Sequence, residues 1–491
     1  MSEIFLLVAI LFPIVFAILN RTLKIDGKIK EKINLGIVII TSILVLALVI
    51  FPPKEMFHIF DLNDKIHMHL KLDGIGRIFA GMVAILWPFA YLYTMGYMAH
   101  DDKNKNYAMF YVITFGVVLG ISFASSLVSL YFFYEALTLV TIPLINQPKT
   151  REAKRASRFY LYISLFGSTL ALVGITLLIS VFNTGEFINV FSESTTIYES
   201  NKTLAYMAYI ALFLGFGVKA AIFPFHLWLP RAGAAPTPTT ALLHAVAVVK
   251  AGSFAIIRVI YSVIGVSILS GSVVHIISLL IASFTIIFGS AMAAKQVHMK
   301  RRFAYSTISN ISYILLAATM MNEYGLYAAM LHLIFHSFAK ITIFFIAGGL
   351  MHNADVIYVD QVDGLAKKMP LTFVSYILAG LSIVGIPMFA GFISKFEIAT
   401  AGIMVNTWYS YIGIAALLIS ALLTAIYVID LIIRAYFKKP NEYNLKNYEK
   451  AHEVNYKFLL PIMTFAILSL LLGVFGSSFI ELVIKLLGGI I

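Results

Sequence analysis

The run LAYMAYIALFLGFGVKAAIFPFHLWLP, residues 204–230, decides how the rest of the chain is read. Apolar and small residues lead without interruption to Lys219, a few more follow it, and Pro224 then breaks the helix. A lysine this deep in a hydrophobic span costs roughly 2.5–3.5 kcal/mol on insertion, so it marks an ion path by default. Pro224, Pro230, Pro236 and Pro238 leave backbone groups without helical partners. Such breaks are tolerated at membrane depth only against protein or water. One buried cation beside one broken helix is the theme, and the chain repeats it.

Composition sets the class. Of 491 residues, 60% are hydrophobic and 12% charged, against about 25% charged in soluble domains. The expected fold is an all-α polytopic membrane protein. The chain has no cysteine, which excludes disulfides, thiolate zinc sites and cysteine-ligated iron–sulfur clusters. No cofactor is therefore expected in this chain, and any redox centre belongs to another. The net charge of +12 would suggest nucleic acid for a soluble protein; here the placement of the charges argues against that partner. Met1–Leu19 is apolar, lacks a basic leader and runs into a basic stretch, so it reads as a first span rather than a cleavable signal.

Windows of about 20 apolar residues give fourteen spans, near 3–19, 33–51, 75–98, 107–123, 126–145, 159–182, 204–223, 240–262, 266–293, 303–321, 325–350, 371–403, 409–437 and 457–485. The loops after spans 1, 5, 9 and 13 carry basic clusters, such as Lys149, Arg151, Lys154, Arg155 and Arg158, while the loop after span 6 holds Glu186, Glu193 and Glu199. The positive-inside rule then places both termini outside a prokaryotic cell membrane. Between spans 2 and 3, HIFDLNDKIHMHLKLDG (58–74) alternates apolar and polar residues and fits a hairpin.

Span 12, GLSIVGIPMFAGFISKFEI (380–398), repeats the opening motif: Gly385, Pro387 and Gly391 interrupt a span that carries Lys395. Two Gly/Pro-broken spans five helices apart point to inverted repeats, comprising spans 4–8 and 9–13. The expected organisation is 1–103 for helices 1–3, 104–264 and 265–437 for the two repeats, and 438–491 for a loop and helix 14.

Other intramembrane charges follow. Glu135 lies mid-span in LYFFYEALTLVTIPLI (130–145) and needs a cationic partner, for which Lys219 is the natural choice. A lysine whose partner can move away is a switchable proton carrier. His244 and Lys250 on span 8 are six residues apart, about 600° of helix, and so serve as successive stations rather than one site. His332, His336 and Lys340 on span 11 are spaced i, i+4, i+8 and form one polar stripe. HxxxH would suit a metal, but a lysine one turn on repels a cation, so a proton relay is expected and no metal. Lys395 and Glu397 point to different faces. Asp430 with Arg434 reads as a structural pair, Arg258 as a side chain snorkelling from the outer end of span 8, and Trp87, Trp228 and Trp408 as anchors or packing.

The segments FYEALTL (133–139), GFGVKAAIFPFHLWLP (215–230), APTPTTALLHAVAVVKAG (235–252), HLIFHSFAKITIFFIAGG (332–349) and GIPMFAGFISKFEI (385–398) resemble the antiporter-like subunits of the complex I superfamily. That superfamily includes NADH–quinone oxidoreductase, membrane-bound hydrogenases and Mrp-type Na⁺/H⁺ antiporters. The resemblance covers roughly residues 105–400, and its runs at 241–253 and 332–348 look most like Mrp D-type and hydrogenase-type members. It implies fourteen core helices in two inverted five-helix units, Glu135 and Lys219 as a pair, Lys250 or His244 as central station, the His332/His336/Lys340 helix, and Lys395 as exit residue. Lysine at 395, where other members carry glutamate, implies the lysine group, and an end at Ile491 soon after helix 14 implies a medial or smaller-complex role rather than the distal one.

The expected function is therefore H⁺ translocation, with or without Na⁺ exchange, by one subunit of an energy-converting complex. A membrane-bound hydrogenase or related oxidoreductase is the favoured parent and an Mrp-type antiporter the runner-up. The expected partners are other membrane subunits, peripheral redox subunits and the lipid bilayer. A stand-alone solute transporter and a pure scaffold are the rivals.

Overall fold

The apolar runs fold as helices because, without water, a backbone must satisfy its own hydrogen bonds. The computed structural model describes residues 2–63, 66–99, 106–182, 185–187 and 196–488. In order, α1 (Ile4–Thr22) and α2 (Gly27–Ile50) precede a hairpin of β1 (Phe57–Asn63) and β2 (Ile66–Leu70). Then come α3 (Gly74–Tyr97), α4 (Tyr107–Phe123), α5 (Leu127–Ile145), α6 (Arg151–Phe182) and α7 (Lys202–Lys219). They are followed by α8 (Thr237–Ile264), α9 (Val273–Lys295), α10 (Met299–Ala318), α11 (Glu323–Ala354), α12 (Pro370–Val384) and α13 (Ala390–Val405). Last are α14 (Trp408–Phe437), α15 (Tyr456–Val474) and α16 (Gly476–Leu487). Among the described residues ten helices are long and apolar enough to cross a membrane, and Tyr107–Phe123 and Pro370–Val384 are shorter apolar helices.

Burial inverts the soluble pattern. The apolar stretches of α8 and α11 are entirely enclosed, whereas those of α1, α2, α6, α14 and α15 are 33–39% buried. The outer helices turn Ile43, Leu139, Leu422 and Ile426 outward, as lipid-facing surfaces do and water-facing ones do not. The two enclosed helices carry His244, Lys250, His332, His336 and Lys340.

Three breaks shape the site. After α7 the chain bends at Ala221 (φ 56°) and continues through short turns, Phe225–Leu227, Trp228–Arg231 and Ala232–Ala234, before α8. The α12–α13 break has positive φ at Gly385 (88°) and Met388 (76°). The expected last span is also two helices, meeting at Phe475. There Gly473 packs so closely that a Cβ would lie 2.3 Å from the Met388 carbonyl oxygen, so this joint braces the α12–α13 link. The expected ninth span likewise starts late, at Val273, after a separate turn at Val266–Leu269.

Arg258 does not snorkel. It is fully buried, and Nη1 and Nη2 donate to the two Asp73 carboxylate oxygens at 2.5 and 2.6 Å. Asp73 also accepts from the Gly76 backbone N–H at 2.9 Å and so caps α3. The bidentate pair ties α8 to the base of the hairpin. Arg258→Met leaves the Asp73 carboxylate without its counter-charge, a change worth about 3–5 kcal/mol. A clear fall in the thermal midpoint of the detergent-purified chain is expected; an unchanged midpoint contradicts this account.

Candidate functional site

The opening motif places Lys219 beside Glu135. Lys219 is the last residue of α7 and is fully buried. Its ammonium lies 3.8 Å from Glu135 Oε1 on α5, 3.3 Å above the Tyr134 ring, and against the Tyr134 carbonyl oxygen. Lys219 is thus within reach of the carboxylate yet also held by neutral groups. Gly252 of α8 makes the next contact possible, since a Cβ there would sit 2.4 Å from Ala220 N. The turns after α7 are fastened by Trp228 Nε1–H to the Val218 carbonyl at 2.8 Å and by Lys300 Nζ to the Ala235 carbonyl at 3.1 Å.

Lys250 is the centre. Its Nζ donates to the Leu333 carbonyl at 3.1 Å and lies 2.8 Å from His336 Nδ1. Lysine and imidazole compete here for one proton, because two adjacent buried positive charges repel. His336 stacks on His332 with ring centroids 6.0 Å apart, and His332 Nδ1 is 2.9 Å from Ser394 Oγ. The Nε2 atoms of both histidines are buried without a hydrogen-bond partner. Each ring therefore has one nitrogen engaged and one available, which is what passing a proton through an imidazole requires. One turn on, Lys340 Nζ donates to Ser306 Oγ at 2.7 Å, and Ser306 Oγ is 2.6 Å from the Tyr427 hydroxyl.

Lys395 closes the row. It sits in the first turns of α13, next to Ser394, with Nζ 2.7 Å from the Ile383 carbonyl oxygen and 2.9 Å from that of Val384. Those carbonyls end α12 and have no helical donor of their own. The Tyr313 ring lies 5.0 Å from Lys395 Nζ and edge-on to His332 at 5.4 Å. Glu397 accepts instead from the Tyr327 hydroxyl at 2.7 Å, so it faces away from Lys395 as its spacing predicts.

His244 stands apart. It lies in a π-turn, Leu242–Val246, whose extra residue resets the helix phase. Its ring packs on Phe344 at 4.6 Å, and neither nitrogen has a partner with hydrogen-bond geometry. The Asp430–Arg434 pair extends to Arg302 and Asp363, at 3.1 and 3.2 Å, and clamps α10 to α14. Trp87 and Trp228 are buried packing groups and Trp408 is exposed. The sequence reading missed Ser306, Ser394, Tyr313 and Tyr427, the hydroxyls and ring that contact the buried lysines and histidines or one another. Isolated Ser and Tyr residues in apolar helices give no signal until the fold places them.

Residues 124–424 match the family described as NADH:quinone oxidoreductase/Mrp antiporter, TM. NADH-quinone oxidoreductase subunit N of Desulforudis audaxviator (strain MP104C) is 30% identical, over 83% of this chain and 81% of its own length. NAD(P)H-quinone oxidoreductase subunit 5, chloroplastic, of Chara vulgaris is 30% identical over 85% of this chain and 64% of its own. Na(+)/H(+) antiporter subunit A1 of Staphylococcus aureus (strain JH9) is 27% identical over 97% of this chain and 62% of its own. The chain thus spans less than two thirds of the length of these last two relatives. In fold it is similar to a chain of the membrane-bound sulfane sulfur reductase, an archaeal respiratory membrane complex, with TM-score 0.82 and 22% identity over 100% of this chain and 96% of that one. It is also similar to a chain of the Mrp complex from Dietzia sp. DQ12-45-1b, with TM-score 0.86 and 22% identity over 99% of this chain and 52% of that one. The match over residues 124–424, on a scaffold of helices long enough to cross a bilayer, makes this chain a multi-pass membrane protein of the NADH:quinone oxidoreductase/Mrp antiporter transmembrane family.

Proposed function

We propose that the chain translocates protons across a prokaryotic cell membrane as one subunit of a multisubunit energy-converting complex. The helices read as fourteen spans, with α12–α13 and α15–α16 each one broken span and two inverted five-helix units at α4–α8 and α9–α14. Both termini lie outside. One observation carries the proposal: among the described residues Lys250, Lys340 and Lys395 are buried with no carboxylate within salt-bridge distance, and their partners are carbonyls, hydroxyls and an imidazole. A buried lysine without a counter-charge is costly to keep charged. One with neutral partners can exist with or without its proton, and so can pass it on.

The proton is handed from Glu135 and Lys219 to Lys250, through His336 and His332 towards Lys395, with Lys340 charging and discharging in concert. Water completes the steps between Lys219 and Lys250. This chain contributes no redox cofactor, and electron transfer in neighbouring subunits supplies the drive. A complex I-like oxidoreductase or membrane-bound hydrogenase is the favoured parent, since the bacterial subunit N relative matches over most of its own length. An Mrp-type Na⁺/H⁺ antiporter is the second reading, favoured by the higher TM-score of the Mrp chain. The test is a tag on this chain, used to purify its native complex for reconstitution in liposomes with a pH-sensitive dye. Proton movement is expected on addition of an electron donor, or of a Na⁺ gradient under the second reading, and is lost with Lys219→Ala. A Lys219→Ala complex that assembles and moves protons at the wild-type rate overturns the proposal.

A further inference from the structure

The hairpin carries an arrangement that proton conduction does not use. Strict alternation would put His58 and Asp61, three residues apart, on opposite faces of β1. A register shift between His58 and Phe60 prevents this: His58 pairs with His69 and Asp61 with His67. On β2, His67 and His69 are two apart and share a face. Two cross-strand pairs therefore bring three imidazoles and one carboxylate together.

The geometry is specific. Asp61 Oδ1 lies 2.8 Å from His58 Nε2 and 2.6 Å from His67 Nδ1. The rings of His67 and His69 stack at 5.5 Å, and those of His58 and His69 are 4.9 Å apart. One donor atom from each of His58, Asp61 and His69 lies within 4.8 Å of the other two. In a tetrahedral zinc site, bonds of about 2.0–2.1 Å leave neighbouring ligand atoms about 3.3 Å apart. These three atoms must close from within 4.8 Å to that spacing, and His67, hydrogen-bonded to Asp61, must turn to join them. The Glu186 carboxylate lies 3.3 Å from His69 Nδ1, which adds negative charge beside the cluster.

We propose that the hairpin face formed by His58, Asp61, His67 and His69 binds one divalent transition metal ion of the imidazole-preferring class, with zinc as its representative. Imidazole-rich sets favour Zn²⁺ or Cu²⁺ over Mg²⁺ and Ca²⁺, which take all-oxygen shells. The ion replaces the protons now shared with Asp61: each neutral imidazole turns its lone pair to the metal and carries its N–H on the other nitrogen. The site sits outside the helix core but is tied to it. The His69 backbone N–H donates to Ser129 Oγ at 3.1 Å, and Ser126 Oγ donates to the His67 carbonyl at 3.0 Å. Both serines belong to the start of α5, the helix that carries Glu135.

The test is titration of the full chain, purified in detergent on a histidine-free tag, with Zn²⁺ by calorimetry. One Zn²⁺ per chain is expected, with Mg²⁺ inert. His58→Ala and Asp61→Asn should each weaken binding at least about 10-fold, and His58→Ala/His69→Ala together should abolish it. Helix content and thermal midpoint are followed alongside. Cu²⁺ on the unmodified chain gives a readout independent of any variant, with an electron paramagnetic resonance signal split by several nitrogens. No Zn²⁺ bound to the wild-type chain at about 100 μM, or undiminished binding by the folded double variant, overturns the proposal.

Discussion

Lys250→Met is expected to cut proton translocation about 100-fold while the complex still assembles. Methionine nearly matches lysine in length and fills the same enclosed space, so packing changes little. It removes a buried charge but leaves His336 Nδ1 without its partner, at about 1–3 kcal/mol, while the Leu333 carbonyl keeps the Ser337 hydroxyl; the thermal midpoint should stay level or fall modestly. What disappears is the only side chain hydrogen-bonded to His336 Nδ1 among the described residues. A proton leaving Lys219 then finds no lysine on α8 and, with His244 packed on Phe344 and hydrogen-bonded to no described group, must cross the gap as an unsupported charge. At membrane depth that adds roughly 2.5–3.5 kcal/mol, and each 1.4 kcal/mol is about tenfold. Reconstituted complex and a pH-sensitive dye read the rate, and calorimetry reads the fold. A stable Lys250→Met complex that pumps at full speed would remove Lys250 from the path.

The buried lysines and histidines were legible in the sequence for a simple reason. A lysine or histidine inside an apolar run is conspicuous, and the cost of leaving it there demands an explanation. The breaks at Pro224 and at Gly385–Pro387 were legible for the same reason. The connections were not. Ser306 and Tyr427 meet Lys340 only because α10, α11 and α14 converge, and nothing local marks them. Arg258 lies near the end of its span, where snorkelling is the ordinary outcome; its partner Asp73 comes from 185 residues earlier. The hairpin alternates imperfectly because two register shifts interrupt it. The same irregularity hid the histidine cluster: His67-x-His69 was the visible half, and the shift that aligns His58 and Asp61 with it cannot be read from spacing.

On the proposed relay Lys395 carries both structure and transport, and two substitutions separate them. The last four carbonyls of α12 need donors. The Gly385 N–H reaches the Leu381 and Ser382 oxygens at 3.0 and 3.1 Å, and the Ile386 N–H reaches Leu381 at 3.1 Å. The Ile383 and Val384 oxygens are left, and the Lys395 ammonium takes both. Glycine at 385 is required twice over: φ is 88°, and a Cβ would lie 2.9 Å from Lys395 Cδ. Lys395→Met strands two buried acceptors at about 1–3 kcal/mol each, so a loss of about 2–6 kcal/mol is expected along with the loss of conduction. Lys395→Arg restores donors to both carbonyls and the charge at a helix C-terminus, so the thermal midpoint should return most of the way. Arginine does not give up its proton in proteins, so conduction should stay lost. If Lys395→Arg instead conducts like the wild type, the residue acts as a fixed charge that biases its neighbours, and the proton leaves by another group.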